Sequence, residues 1–207
     1  MFNEDKILII SELGVEGLSL LVKIALKYGD IVWLSSNSYL PFKVLEANSY
    51  KGNAKIFGLY SQTGQVVNPL DLNEISLAIH RAGGGKRPDN CVIISCLSEL
   101  IMYHGIKKTH AFLLSMMNTT KKFIGMLIDN AQDKKDELLV STLFDAVFRL
   151  ERKSMCEAIL IPELHFSAGP LKLKYKNGII EFSEFSDDHQ EIVASQCEEI
   201  DQTLIRI

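Results

Sequence analysis

Short apolar runs alternate along the first two-thirds of the chain with longer segments in which apolar positions recur every three or four residues. The runs are Lys6 to Ser11, Ile31 to Ser35, Ala54 to Tyr60, Cys91 to Cys96 and Phe123 to Asp129. They are rich in β-branched residues and nearly continuous in apolar character, the pattern of strands buried on both faces. Between and after them, Gly17 to Tyr28, Pro41 to Ser49, Leu70 to Ala82, Ile106 to Thr119 and Lys134 to Phe148 carry helical spacing. Strict strand-helix alternation predicts an α/β fold, a mostly parallel sheet whose right-handed crossovers place helices on both faces.

The last third changes period. Ala146 to Glu151, Ser154 to Pro162 and Leu171 to Phe185 read as strands, and the last contains Asn177-Gly178, a strong hairpin signal. These predict an antiparallel C-terminal annex. Lys172, Lys174 and Lys176 alternate with Leu171, Leu173 and Tyr175, so the ammonium groups share one strand face. The favoured reading is a Lys-guarded edge strand; a basic patch for RNA or an acidic partner, joined by Lys86-Arg87, is the weaker alternative. Asp188 to Leu204 predicts a helix with Val193, Cys197, Ile200 and Leu204 on one face, and Glu181 to Asp201 holds no Lys or Arg. The expected division is a domain over residues 1–186 followed by an acidic helix over 187–207. Docking of that helix on its own domain is preferred over an interchain seam.

Composition narrows the function classes. A chain of 207 residues with 47% hydrophobic content can bury one sizeable core, and a formal charge of −4 with mixed signs does not describe a general nucleic-acid or anionic-membrane binder. The acidic N-terminus and the lack of a long apolar run suggest a cytoplasmic protein with no membrane span. Cys91, Cys96, Cys156 and Cys197 show no metal-ligand spacing, so reduced thiols and no metal are expected. His80, His104, His110, His165 and His189 are scattered and are assigned no catalytic role.

One loop carries candidate chemistry. Glu12-Leu13-Gly14-Val15-Glu16-Gly17-Leu18-Ser19 lies between the first strand and the first helix, where a phosphate-binding loop of the form G-x-x-x-x-G-K-[ST] would lie. Gly17 and Ser19 fit that register. Glu12 replaces its first Gly, and Leu18 replaces its Lys. Taken alone, the loop reads equally as an ordinary strand-to-helix turn. A second segment, Arg87-Pro88-Asp89-Asn90-Cys91-Val92-Ile93-Ile94-Ser95-Cys96-Leu97-Ser98-Glu99-Leu100, favours the phosphate-loop register, because it resembles the Walker B stretch of RecA-superfamily ATPases, particularly the KaiC-like branch. Phe123 to Asp129 resembles the family's following strand, and Leu139 to Glu151 its next segment, so the likeness runs from about Lys6 to Phe185.

The resemblance implies a RecA-like P-loop NTPase fold with degenerate motifs. The family's magnesium-organising Asp falls on Ser95, and its acidic pair after the second strand falls on Asn37-Ser38. Gly14, Gly17, Leu18, Ser19 and Ser95 are therefore the candidate nucleotide-site positions, with no catalytic residue, no metal and no cofactor assigned. Ser98-Glu99 is read as capping a helix that starts at Leu100. Loss of charge at three places needed for phosphoryl transfer suggests an inactive ATPase homologue acting in assembly or regulation, as a homo-oligomer or with a paralogous RecA-like partner. The plan is similar to that of the non-catalytic RecA-like accessory subunits of the eukaryotic Elongator complex, whose ring binds tRNA. The alternative is a KaiC-like nucleotide binder whose phosphate contacts come from Lys86-Arg87 or from another subunit.

Overall fold

A computed structural model describes residues 4–12, 15–60, 65–83, 90–154, 156–164, 170–176 and 179–183. The acidic C-terminal segment, with the proposed division after residue 186, lies outside them. The elements run β1 (Lys6–Ser11), α1 (Val15–Ala25), β2 (Asp30–Ser35), α2 (Tyr39–Ala47), β3 (Asn53–Gly58), β4 (Gln65–Val66), α3 (Leu72–Arg81), β5 (Asn90–Ile94), α4 (Leu97–Thr119), β6 (Lys122–Ile128), α5 (Lys134–Ser141), β7 (Ala146–Arg152), β8 (Glu157–Leu164), β9 (Leu171–Lys176) and β10 (Ile179–Ser183). They form one sheet in the order β10-β9-β8-β7-β1-β6-β5-β2-β3-β4. Strands β7 through β4 in that order are parallel, and β8, β9 and β10 add antiparallel pairs. The expected mostly parallel sheet with an antiparallel annex is present.

Each central strand sends alternate side chains into two cores. Ile7, Ile9, Ile31, Trp33, Ile93, Ile124 and Phe148 pack beneath α1 and α2. Leu8, Ile10, Val32, Leu34, Val92, Ile94 and Phe123 pack beneath α3, α4 and α5. The inner strands β1 and β5 therefore carry no polar side chain along most of their length, which explains why they read as unbroken apolar runs. Gly125 on β6 sits where a Cβ would come within 2.8 Å of both Leu97 Cδ1 and Phe144 Cζ. The missing side chain lets α4 and the turn after α5 approach the sheet.

Local chemistry sets several boundaries. Asp71 caps α3 by accepting from the backbone N–H groups of Asn73 at 2.9 Å and Glu74 at 3.1 Å. Helix α4 starts at Leu97, earlier than expected, and is interrupted at Gly105, whose φ of 71° and ψ of 161° leave helical space. Thr109 Oγ1 donates to the Leu100 carbonyl across that interruption at 3.1 Å, tying the two parts of the helix together. The sequence period restarts at Ile106 for this reason.

Three expectations are corrected in the last third. The helical reading of Lys134 to Phe148 overruns: α5 ends at Ser141, whose Oγ donates back to the Glu137 carbonyl at 2.8 Å. Asp145 then fixes the chain on β1, its N–H donating to the Lys6 carbonyl and its carboxylate accepting from the Lys6 N–H, each at 2.9 Å. Consequently Ala146 and its successors form β7, which pairs in parallel with β1 and is not part of the annex on that side. The lysine-rich strand β9 is not an edge strand, because β10 covers it. Glu157 and Glu181 sit opposite Lys174 in the two flanking registers, a cross-strand arrangement that offsets the positive stripe.

Candidate functional site

Helices α1 and α5, which leave the adjacent strands β1 and β6, cross opposite faces of the sheet. Such a reversal opens a crevice beyond the carboxyl ends of the strands, the usual ligand position in open α/β sheets. Here the crevice is a pocket of about 210 Å³ lined by Glu12, Leu18, Ser35, Ser36, Asn37, Leu40, Ser95, Glu99, Met126 and Ile128. Three of the five candidate positions, Gly17, Leu18 and Ser95, lie in or directly against it. Ser19 is fully buried on α1 behind it. Gly14 lies outside the described residues.

Leu18 decides the character of the floor. In the first turn of α1 it is 7% exposed and belongs to the core beneath that helix, with Met126 packed in the same cluster. Gly17 permits this seating: a Cβ there would meet Met126 Sδ at 2.9 Å and Ser11 Oγ at 3.0 Å. The glycine expected for close approach to a phosphate serves helix-to-sheet packing in this chain. Glu16 turns away from the pocket toward Arg152, whose Nε lies 3.6 Å from its Oε1. Glu12 stays exposed at the rim.

Ser95 is 5% exposed, and its Oγ accepts from Trp33 Nε1 at 2.9 Å and faces the Leu34 carbonyl at 3.4 Å. A hydroxyl at this position satisfies a buried indole that would otherwise lose a hydrogen bond to water. Asn37 Oδ1 accepts from the Tyr39 N–H at 2.7 Å, an Asx turn that starts α2. The capping role expected for Ser98-Glu99 is not found. Both residues lie within the first turn of α4, and no side chain caps that helix at Cys96. Ser98 Oγ instead accepts from the Ile128 N–H and donates to Gln132 Oε1, both at 2.9 Å. Glu99 reaches into the pocket, where Ser36 Oγ donates to its Oε1.

Sequence reasoning therefore missed the carboxylate that shapes the site. The available signal was an acidic residue one turn into a helix that begins at the end of a buried strand. It also missed a cluster beside β6, where Arg149 pairs with Asp129, with Glu163 and, at 2.7 Å, with Glu137 Oε1. Burial works against the guanidinium charge, but the hydrogen bonds it donates to Glu163 and Glu137 more than compensate and raise its pKa. Burial likewise pushes the Cys96 thiol up, with the Glu99 charge adding to it, so Cys96 is a protonated core group. His80 and His104 bond to the carbonyls of Ser76 and Pro69, each at 2.8 Å, in keeping with hydrogen-bonded histidines. Among the described residues no group of three or more His, Cys, Asp or Glu side chains is placed to hold a metal ion, and no helix is long and apolar enough to cross a membrane. Lys86-Arg87 lies outside the described residues; Asn90, the first described residue after it, opens β5 at the end of the sheet opposite the pocket.

Sheet order, crossover faces and the strand-loop-helix at β1 define a RecA-like P-loop NTPase fold. The flagellar accessory protein FlaH from Methanocaldococcus jannaschii superposes with a TM-score of 0.64 at 13% identity, covering 88% of this chain and 91% of that one. A KaiC-like protein from Pyrococcus horikoshii gives 0.58 at 11% identity, covering 87% and 91%. A further P. horikoshii protein, solved in complex with an unknown peptide, gives 0.57 at 11% identity, covering 89% and 94%. No protein-family profile and no curated protein matches the chain. At these identities the likeness establishes the fold.

Proposed function

We propose that this chain is a non-catalytic RecA-like module that acts through assembly, as a homo-oligomer or with a paralogous RecA-like partner. The seating of Leu18 carries the reading: an apolar side chain, packed into the core, occupies the place from which a lysine would reach a phosphate. Catalysis of phosphoryl transfer rests on positioning and on neutralising charge. The pocket supplies the opposite charge, since among the described residues its lining holds Glu12 and Glu99 and no Lys, Arg or His. At 210 Å³ it is also smaller than the roughly 300 to 1,000 Å³ of a typical small-molecule site.

The assembly half of the proposal is supported by the surface next to the pocket mouth. Tyr39, Leu40 and Phe42 of α2 are 57%, 42% and 57% exposed. Aromatic and aliphatic side chains grouped beside a ligand crevice are common at protein interfaces. The P. horikoshii neighbour with a bound peptide is a precedent for a partner on this fold.

Calorimetric titration with MgATP, MgADP and MgGTP tests the first half, and light scattering after size-exclusion chromatography over a wide concentration range tests the second. The expected results are no saturable nucleotide binding up to millimolar ligand and a mass above that of one chain, alone or with a co-purifying partner. Micromolar MgATP binding would instead support the nucleotide-binding alternative, for which Gly17 and the α1 N-terminus are the retained features.

A further inference from the structure

The pocket at the carboxyl ends of β1, β2, β5 and β6 holds a polar group that the described residues leave unmatched. Glu99 Oε1 accepts from Ser36 Oγ, whereas its Oε2 is buried from solvent and has no hydrogen-bond partner among the described residues. A buried carboxylate oxygen without a donor is unfavourable, and a donor brought by a ligand would remove that cost. Around it the walls are mostly apolar, from Leu18, Leu40, Met126 and Ile128, with the exposed Glu12 at the rim. Neither Glu12 nor Glu99 has an ion-pair partner among the described residues.

We infer that this pocket binds an organic cation with a short apolar body, an alkylguanidinium or alkylammonium group, in the place where the fold ordinarily offers a phosphate cradle. The inference rests on the reading of this site as one that does not hold nucleotide. A cation head reaching Glu99 Oε2 forms a charge-assisted hydrogen bond in a partly desolvated crevice, and Glu12 adds attraction at the entrance. The apolar walls contact the methylene stem, as they do for any long basic side chain that buries its carbons and keeps its charge paired. A bare divalent ion fits less well, because a hard cation requires several oxygen ligands or retained waters and these walls are largely carbon. Size agrees: 210 Å³ is room for roughly seven waters at about 30 Å³ each, enough for one such chain.

The same cation could arrive as a free small amine or as a Lys or Arg side chain of a protein partner, and the assay separates the two. Full-length protein is titrated with n-butylguanidinium and with the neutral, nearly isosteric n-butylurea, following amide chemical shifts. The peptide acetyl-Ala-Leu-Arg-Leu-Ala-amide is titrated alongside. Saturable binding of n-butylguanidinium, at least tenfold tighter than n-butylurea and at least tenfold weakened in Glu99→Gln, is the expected result. Shifts should centre on Leu18, Ser36 and Met126. If the peptide binds at least tenfold tighter than the small cation, the source is a protein side chain; if it binds no tighter, the source is a small amine.

Glu99→Gln keeps the shape of the carboxylate, and a thermal melt within a few degrees of the parent shows that the fold is intact. Glu12→Gln, at the exposed rim, supplies a second variant with an expected weakening of two- to fivefold. Equal affinity for the urea and the guanidinium, or indifference to Glu99→Gln in a folded protein, overturns the inference while leaving the non-catalytic reading in place. MgATP binding to the parent protein, competing with n-butylguanidinium, overturns both.

Discussion

Replacing Leu18 with Lys tests whether one missing charge or the charge of the whole pocket excludes a triphosphate. Leu18 is 7% exposed, so Leu18→Lys removes part of a burial worth about 1.5 to 3 kcal/mol. The lysine stem retains some of those carbon contacts, and its head can extend into the pocket beside Glu12 and Glu99. The expected stability loss is about 1 to 2 kcal/mol. A lysine-phosphate contact near 4 Å at an effective dielectric of about 20 contributes roughly 4 kcal/mol, against roughly 8 kcal/mol for micromolar binding. Glu12 and Glu99, both lining the pocket, oppose it, Glu99 from the partly buried interior and Glu12 more weakly from the solvent-screened rim.

Leu18→Lys alone is therefore expected to leave MgATP binding weaker than millimolar by calorimetry. Adding Glu12→Gln and Glu99→Gln to it should produce measurable binding, at least tenfold tighter than the single variant. If Leu18→Lys by itself bound MgATP with micromolar affinity, the lysine would be the one missing part and the argument from pocket charge would be refuted.

Arg149→Met should lower stability by about 2 to 4 kcal/mol in urea denaturation, because it strands Glu137 and Asp129, whose side chains are 8% and 19% exposed, with Lys134 at 3.3 and 3.8 Å as partial compensation. A further Glu137→Gln should then cost far less than it does in the parent. Gly125→Ala should cost about 1 to 3 kcal/mol by the same assay, since its Cβ would press on Leu97 and Phe144 in the core. Tyr28 and Tyr50 are held at about 12, chiefly by burial. Their pKa values are raised above the ordinary value near 10, so their stabilising contribution is complete below pH 10 and disappears as pH climbs toward 12. The double change Tyr28→Phe and Tyr50→Phe should flatten the fall in melting temperature across that interval; an unchanged slope would show that other groups cause it.

The local elements were legible because their causes are local. The run Lys6 to Ser11 matched β1 residue for residue, and the alternation of strand and helix predicted the parallel sheet, since strands covered on both faces must be apolar throughout. That the position aligned with a phosphate-loop lysine holds the apolar Leu18 was visible once the resemblance set the register. The capping assignment of Ser98-Glu99 failed because helix α4 carries a break at Gly105, which split its period and hid its first turns. The overlap between a helix to Phe148 and a strand from Ala146 had no local solution: Val147 and Phe148 enter opposite cores only when the segment lies against β1.

By itself, the sequence determined the type and order of the strands and helices in the first two-thirds of the chain, which faces are apolar, and which chemical groups are available near the β1–α1 loop. Tertiary structure alone decided strand order and the neighbours of each side chain. Trp33 meets Ser95 across 62 residues, and Ser36 meets Glu99 across 63. Hydrophobic period fixes the face a residue occupies but not the strand beside it, because pairing partners are selected by packing over the whole sheet. That selection placed an unmatched carboxylate oxygen in a small apolar pocket beside a loop that, in the bare sequence, only resembles a phosphate-binding one.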